Sequence, residues 1–121
     1  MSKSFDFGRE AENFAADYFE KNGYKILARN YIYQKAEIDL IVQKDQLLLV
    51  IEIKARAYNP IVSPEKSVDN KKKKLLILAT HQFITINNMD VDVRFDILAL
   101  EKKEAQWFIN HIEDAFSPIE L

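Results

Sequence analysis

Three charged residues stand where the sequence otherwise calls for apolar ones. In the stretch Glu37–Arg56, EIDLIVQKDQLLLVIEIKAR, two apolar runs flank the polar break Lys44-Asp45-Gln46. Asp39 lies inside the first run, and Glu52 and Lys54 lie inside the second. Charges within apolar strands cost free energy unless they are paired or bind something. The two runs read as a β-hairpin with Asp45-Gln46 as its two-residue turn. Lys44 then faces Leu47, Ile41 faces Val50, Asp39 faces Glu52 and Glu37 faces Lys54. Opposed β-carbons lie roughly 4.5–5.5 Å apart. Two carboxylates that close repel, and one pKa rises unless a cation stands between them. A hard divalent cation with oxygen ligands removes the conflict. Lys54, two residues beyond Glu52, shares its face. A one-residue slip in register would send the two acids to opposite faces.

The elements around the hairpin must hold it rigid. The chain has 121 residues, which suits a single domain spanning 1–121 around one core. Hydrophobic residues make up 48%, enough to fold rather than stay disordered. Cysteine is absent, which excludes disulfides and thiolate metal sites and fits a reducing compartment. The start MSKSFDFGRE lacks an apolar signal core, and no apolar run approaches membrane-spanning length. The expectation is a soluble, cytoplasmic protein with no membrane partner. A formal net charge of −2 argues against a general nucleic-acid binder, so any such role rests on local charge.

Phe7 to Asn22 reads as an amphipathic helix with the stripe Phe7, Ala11, Phe14, Ala15, Tyr18 and Phe19, Asp6 as N-cap and Gly23 as stop. Glu12 borders that stripe, and a solvated helix glutamate is the plain reading of it. Tyr24 to Asn30 is the first strand, and the hairpin supplies the second and third. AYNPIVSPEKS is a loop. A second helix runs from Val68 to about Ile86 and carries Lys71, Lys72, Lys73 and Lys74 in its early turns. One or two of these either contact phosphate or lie on a solvated face. A helix spreads four consecutive residues around its axis, so all four cannot serve one ligand.

Val91 to Leu100 alternates as a fourth strand, with Arg94 and Asp96 as a local pair. Ala105 to Ile112 is a fifth strand at an edge, and EDAFSPIEL is a short turn or helix that docks Phe116. His81 and His111 lack partners at metal-ligand spacing and read as structural or surface residues. The second helix serves as the crossover to a parallel neighbour, so the fold is α/β with a mixed sheet, order αβββαββ, and helices packed on it.

This pattern resembles the PD-(D/E)xK nuclease superfamily, whose restriction-endonuclease-like core has the order helix, three strands, helix, strand. Its signature is an acid on the second strand, matched by Asp39, then an acid-x-Lys, matched by Glu52-Ile53-Lys54. Many members add a helix glutamate, which Glu12 matches by position. The whole chain looks like the YraN-like family of small bacterial endonuclease-like proteins, on GREAENFAADYFEKNGYKILARNY, AEIDLIV, VIEIKAR, Lys71, RFDILAL and HIEDAF. That family usually has Gly where Ala36 stands, which narrows backbone freedom there and leaves the acids untouched. It is also similar to archaeal Holliday-junction resolvases.

The resemblance implies a Mg²⁺-dependent (or Mn²⁺-dependent) endonuclease acting on DNA, with branched or structured DNA as substrate. Resolvases commonly pair to cut two strands, so it also allows a homodimer. It implies Asp39 and Glu52 as metal ligands, Glu12 as a further or water-mediated ligand and the Ile53 carbonyl completing the shell. Lys54 would orient water or stabilise developing charge. Arg56, Arg29 and some of Lys71, Lys72 and Lys74 would hold the backbone. A binding module that has lost cleavage is the alternative, and a third reading has Glu37–Lys54 and neighbouring pairs merely stitching the hairpin edge.

Overall fold

In the computed structural model, residues 3–61 and 68–117 are described. The elements are α1 (Lys3–Lys21), β1 (Lys25–Tyr33), β2 (Ala36–Lys44), β3 (Leu47–Ala57), α2 (Asn70–Ile86), β4 (Asp92–Lys103) and β5 (Gln106–Phe116). The five strands form one sheet in sequence order. Neighbours are antiparallel except β3 and β4, which α2 connects as a parallel pair. The mixed α/β architecture expected from the sequence is therefore present. Among the described residues, no helix is long and apolar enough to cross a membrane.

The two helices cover opposite faces. Ala11, Ala15 and Phe19 of α1 pack on Leu40, Val42, Leu49, Ile51, Leu98 and Leu100. Leu76, Ala79 and Phe83 of α2 pack on Ile38, Ile41, Leu48, Val50, Phe95 and Ile97. A strand buried on both faces reads as a continuous apolar run rather than an alternating one. That is why LLLVI, in the central strand β3, is uninterrupted. Any charge inserted there is placed on a covered face by the pleat.

Helix α1 ends as Gly23 suggested. Gly23 has φ of 88°, its N–H donates to the Glu20 carbonyl at 3.0 Å, and the Tyr24 N–H donates to the Phe19 carbonyl at 3.0 Å. This double bond pattern satisfies carbonyls that the helix end leaves open, and the Phe19 and Tyr24 rings meet edge to face beside it.

Several boundaries differ from the sequence reading. Helix α1 starts at Lys3, so Asp6 lies in its first turn instead of capping it. Strand β1 continues through Asn30 to Tyr33, and β5 continues to Phe116, so Glu113 to Phe116 are strand rather than turn or helix. Asn30 (φ 52°) and Asp114 (φ 51°) adopt left-handed conformations inside those strands. Asn and Asp tolerate this conformation, so their turn-like chemistry kinks a strand without ending it. Phe116 is buried, stacked on Phe95. Residues 62–67 of the AYNPIVSPEKS loop and 118–121 of the tail lie outside the described residues, and Ala57 belongs to β3.

Candidate functional site

The hairpin register is the one the turn dictates: Lys44 pairs with Leu47, Ile41 with Val50 and Leu40 with Ile51. There the backbone pairing of β2 with β3 stops. Strict alternation would send Ile38 the way of Leu40, yet Ile38 packs with Ile41 under α2 while Leu40 packs under α1. The irregularity falls at Asp39. Its neighbour across β1 is Asn30, between the pairs Arg29–Leu40 and Tyr31–Ile38. Freed from the ladder, Asp39 turns its carboxylate to β3, where Oδ2 accepts the Ile53 N–H at 2.8 Å.

Asp39 and Glu52 thereby line one cavity of about 330 Å³ between the sheet and the first turns of α2, with Glu37, Asp69, Lys71 and Lys72 around it. Glu52 is only 5% exposed. Its Oε1 accepts from Lys72 Nζ at 2.7 Å, and its Oε2 is buried without a hydrogen-bond partner. Burial, and after it the charge of Glu52, push the Asp39 carboxyl up to about 7, against the opposing pull of the Ile53 N–H and Lys72. Burial on its own would lower the Lys72 pKa, but its bond to Glu52 and the charges of Glu52, Asp39 and Asp69 prevail and raise it. Asp69 caps α2 by accepting the Lys72 N–H at 2.8 Å, which fixes the phase of the helix over the cavity.

The other sequence-selected residues take different places. Glu12 is on the α1 side of the sheet, where it accepts from Asn30 Nδ2 at 3.1 Å and stands 4.0 Å from Arg29. Arg29 also donates to Asn13 at 2.7 Å. Among the described residues, no three His, Cys, Asp or Glu side chains gather closely enough to hold a metal, so Glu12 does not complete a triad with Asp39 and Glu52. Lys54 is partly buried on the face of β3 that carries Glu52, and makes no hydrogen bond or ion pair to any described residue. The Glu37–Lys54 ion pair of the purely structural reading is therefore not formed. Ile53 enters through its N–H. Arg56 donates to Glu101 through Nε at 3.2 Å and Nη2 at 3.1 Å. Lys71 and Lys72 line the cavity, Lys73 lies 5.5 Å from the Phe116 ring, and Lys74 is exposed outside the cavity lining. Ala36 is buried in the cavity wall without a positive φ, so the alanine is accommodated unstrained.

Sequence reasoning missed the Lys72–Glu52 pair, since nothing in four consecutive lysines singles one out. It also missed the cap, although Asp69, three residues before Lys72 and just ahead of an apolar-periodic run, carried a readable N-terminal signal. A second polar cluster was legible only in part. Arg94 and Asp96 do pair, with Nε–Oδ1 and Nη2–Oδ2 both at 2.9 Å. Fully buried Asp96 also bonds His111 Nε2 at 2.7 Å and the Asp114 N–H at 3.0 Å, and His111 Nδ1 meets the Tyr18 hydroxyl at 3.1 Å. Burial would raise the Asp96 pKa, but the bonds from His111, Arg94 and Asp114 outweigh it and hold it below the usual range. This cluster joins β4, β5 and α1, with every strong acceptor satisfied.

The sequence profile of the uncharacterised protein family UPF0102 matches residues 11–100. A UPF0102 protein of Flavobacterium psychrophilum is 38% identical over 116 residues, covering 96% of this chain and 98% of that one. One of Parabacteroides distasonis is 41% identical over 116 residues, covering 96% of each. One of Clostridium botulinum is 38% identical over 114 residues, covering 92% of this chain and 93% of the other.

Proposed function

We propose that this chain, which belongs to the uncharacterised protein family UPF0102, the YraN family, is a metal-dependent endonuclease of the PD-(D/E)xK type acting on DNA, with branched or structured DNA as its substrate class. The observation that carries the proposal is the meeting of Asp39 and Glu52 in one cavity, with Glu52 Oε2 buried and unpartnered. A buried acceptor without a donor is costly, and two adjacent carboxylates are more so. Both faults are corrected by one hard divalent ion, and the described cavity lining carries carboxylates rather than sulfur ligands that would favour another metal. The element order αβββαββ, with the acids on β2 and β3, supports the restriction-endonuclease-like placement.

Asp39 and Glu52 would hold Mg²⁺ or Mn²⁺. Bound there, the ion would make a coordinated water more acidic and neutralise charge on a phosphate. The Asp39 carboxylate is already aimed by the Ile53 N–H, so it spends little freedom on a ligand. Lys54, with no partner among the described residues, is available to orient the attacking water or to meet charge growing on the phosphate. Lys71 and Lys74, exposed on the first turns of α2, and Arg29 and Arg56, each tethered to a carboxylate, would contact the sugar–phosphate backbone. The positive end of α2 at the cavity favours the same anion.

Glu12's separation from the cavity favours a second reading, a nucleic-acid-binding module on a nuclease-like fold without cleavage. One experiment tests both. Linear, nicked and four-way DNA are incubated with wild type and Glu52→Ala, with and without Mn²⁺. Mn²⁺-dependent cut products from wild type alone support the endonuclease. Salt-sensitive binding of four-way DNA with no cut product supports the binding module.

A further inference from the structure

The cavity already holds a cation, and it belongs to the protein. Lys72 reaches Glu52 from α2 at 2.7 Å, while Lys54, on the same strand as Glu52, makes no such bond. The contact is asymmetric. One Glu52 oxygen takes the ammonium, and the other is buried without a hydrogen-bond partner. The Lys72 side chain is 43% exposed and the Glu52 side chain 6%. The carboxylate is therefore fixed in the wall, while the ammonium lies at the end of a flexible stem that opens to solvent. The trio of ionised Asp39, ionised Glu52 and the Lys72 ammonium is one positive charge short of neutral. A divalent ion added with Lys72 still in place would leave it one charge over, with two cations crowded onto one carboxylate.

We infer that Lys72 is an exchangeable counter-ion: it neutralises Glu52 in the metal-free protein and leaves that carboxylate when a divalent ion binds to Asp39 and Glu52. This deepens the reading above and rests on it, because it assumes that the two acids take a divalent ion. It assigns Lys72 a task apart from the neighbouring lysines. Lys71 also lines the cavity but bonds neither acid. Competition by Lys72 sets how much divalent ion is needed to fill the site, and exchange frees an ammonium at the cavity mouth as the ion enters.

The test is calorimetric titration of the full chain with Mn²⁺, comparing wild type, Lys72→Met and Lys71→Met. Methionine keeps an apolar stem and removes the charge. Lys72→Met should bind Mn²⁺ about tenfold more tightly than wild type, and Lys71→Met should change affinity by no more than about threefold, since an exposed charge that touches neither acid is largely screened. If the Met protein fails to fold, Lys72→Gln replaces it with the same expectation. A second readout follows the Lys72 Nζ–H signals by NMR. Mg²⁺ should abolish the protection from exchange that Glu52 confers. Equal or weaker Mn²⁺ binding by Lys72→Met, or Nζ–H signals unmoved by Mg²⁺, overturns the exchange while leaving the metal site standing. No Mn²⁺ binding by wild type and Lys72→Met alike overturns the metal site itself, and the exchange with it.

Discussion

Asp39 and Glu52 face one cavity from neighbouring strands although the backbone ladder between those strands ends one residue short of them, at Leu40 and Ile51. The hairpin register opposes them, and the interruption leaves the Ile53 N–H free to aim the Asp39 carboxylate. In a continued ladder Asp39 would stand on the pleat like any other residue. Instead its side chain takes the Ile53 N–H in place of a backbone carbonyl and is held beside Glu52. The arrangement stores the cost of burying a charge and, after it, repulsion from Glu52, which together push the Asp39 carboxyl up to about 7.

That cost has a measurable sign. A carboxyl whose folded pKa is raised favours the folded state below its unfolded pKa, near 4, and loses that advantage as pH climbs through about 7. Asp39→Asn keeps an acceptor for the Ile53 N–H and has no charge to lose. In EDTA, thermal denaturation should find Asp39→Asn more stable than wild type at pH 8, by on the order of 1–3 kcal/mol. The gap should close as pH falls toward 4. A wild type more stable than Asp39→Asn at pH 8 would remove the case for a stored cost of ionising Asp39.

Asp96 has the opposite sign. Its pKa is held down by His111, Arg94 and the Asp114 N–H, so it stabilises the fold above its unfolded pKa and stops doing so as pH falls through the folded value. Asp96→Ala strands a guanidinium in the cluster and removes the link between His111 and Arg94. The expected loss is about 3–5 kcal/mol at pH 7, shrinking on acidification below pH 4. Denaturant titrations at pH 7 and pH 3.5 check both parts. A loss that is the same at the two pH values would mean that packing rather than charge is what Asp96 contributes.

The hairpin was legible because local chemistry specifies it. Lys44-Asp45-Gln46 interrupts two β-rich runs, and the turn alone fixes which residues oppose. The pairing of the acids follows from that register. The same reasoning did not reach the partner of Glu52. Which of Lys71 to Lys74 points inward depends on the phase of α2, and the Asp69 cap sets that phase from outside the lysine run. Glu12 lies apart from the cavity for a different reason. Its spacing along α1 is right for the stripe, but α1 covers the face of the sheet opposite the cavity. No helical periodicity reports on which face a helix lands. Asn30 and Asp114 look like strand ends in sequence, and only the neighbouring strands show that pairing resumes beyond them.

The separation of Glu12 from the cavity makes a direct comparison informative. Its contacts are Asn30 and Arg29, both exposed. Surface pairs of this kind are worth about 0–1 kcal/mol. Glu12→Gln should therefore leave Mn²⁺ affinity and melting temperature close to wild type, whereas Glu52→Gln should abolish the rise in melting temperature that Mn²⁺ produces. Loss of Mn²⁺ stabilisation in Glu12→Gln would mean that α1 brings its carboxylate to the cavity once the ion is bound.

Lys54 separates holding the ion from using it. It lies one step beyond Glu52 on the same face of β3, and nothing among the described residues engages its ammonium. A charge kept partly buried without a partner costs stability, so a structural role for it is hard to sustain. If it acts on the attacking water or on phosphate charge, its removal should lower the rate and spare the ion. Lys54→Met should thus melt at or above the wild-type temperature, keep wild-type Mn²⁺ affinity within about threefold, and cut four-way DNA at least about a hundredfold more slowly, the usual size of losing one charge-stabilising group. Rates measured at saturating Mn²⁺, beside melting curves of the same preparations, separate these effects. Cleavage at the wild-type rate by Lys54→Met would move the catalytic amine elsewhere, and Lys72, freed from Glu52, would be the residue next in reach.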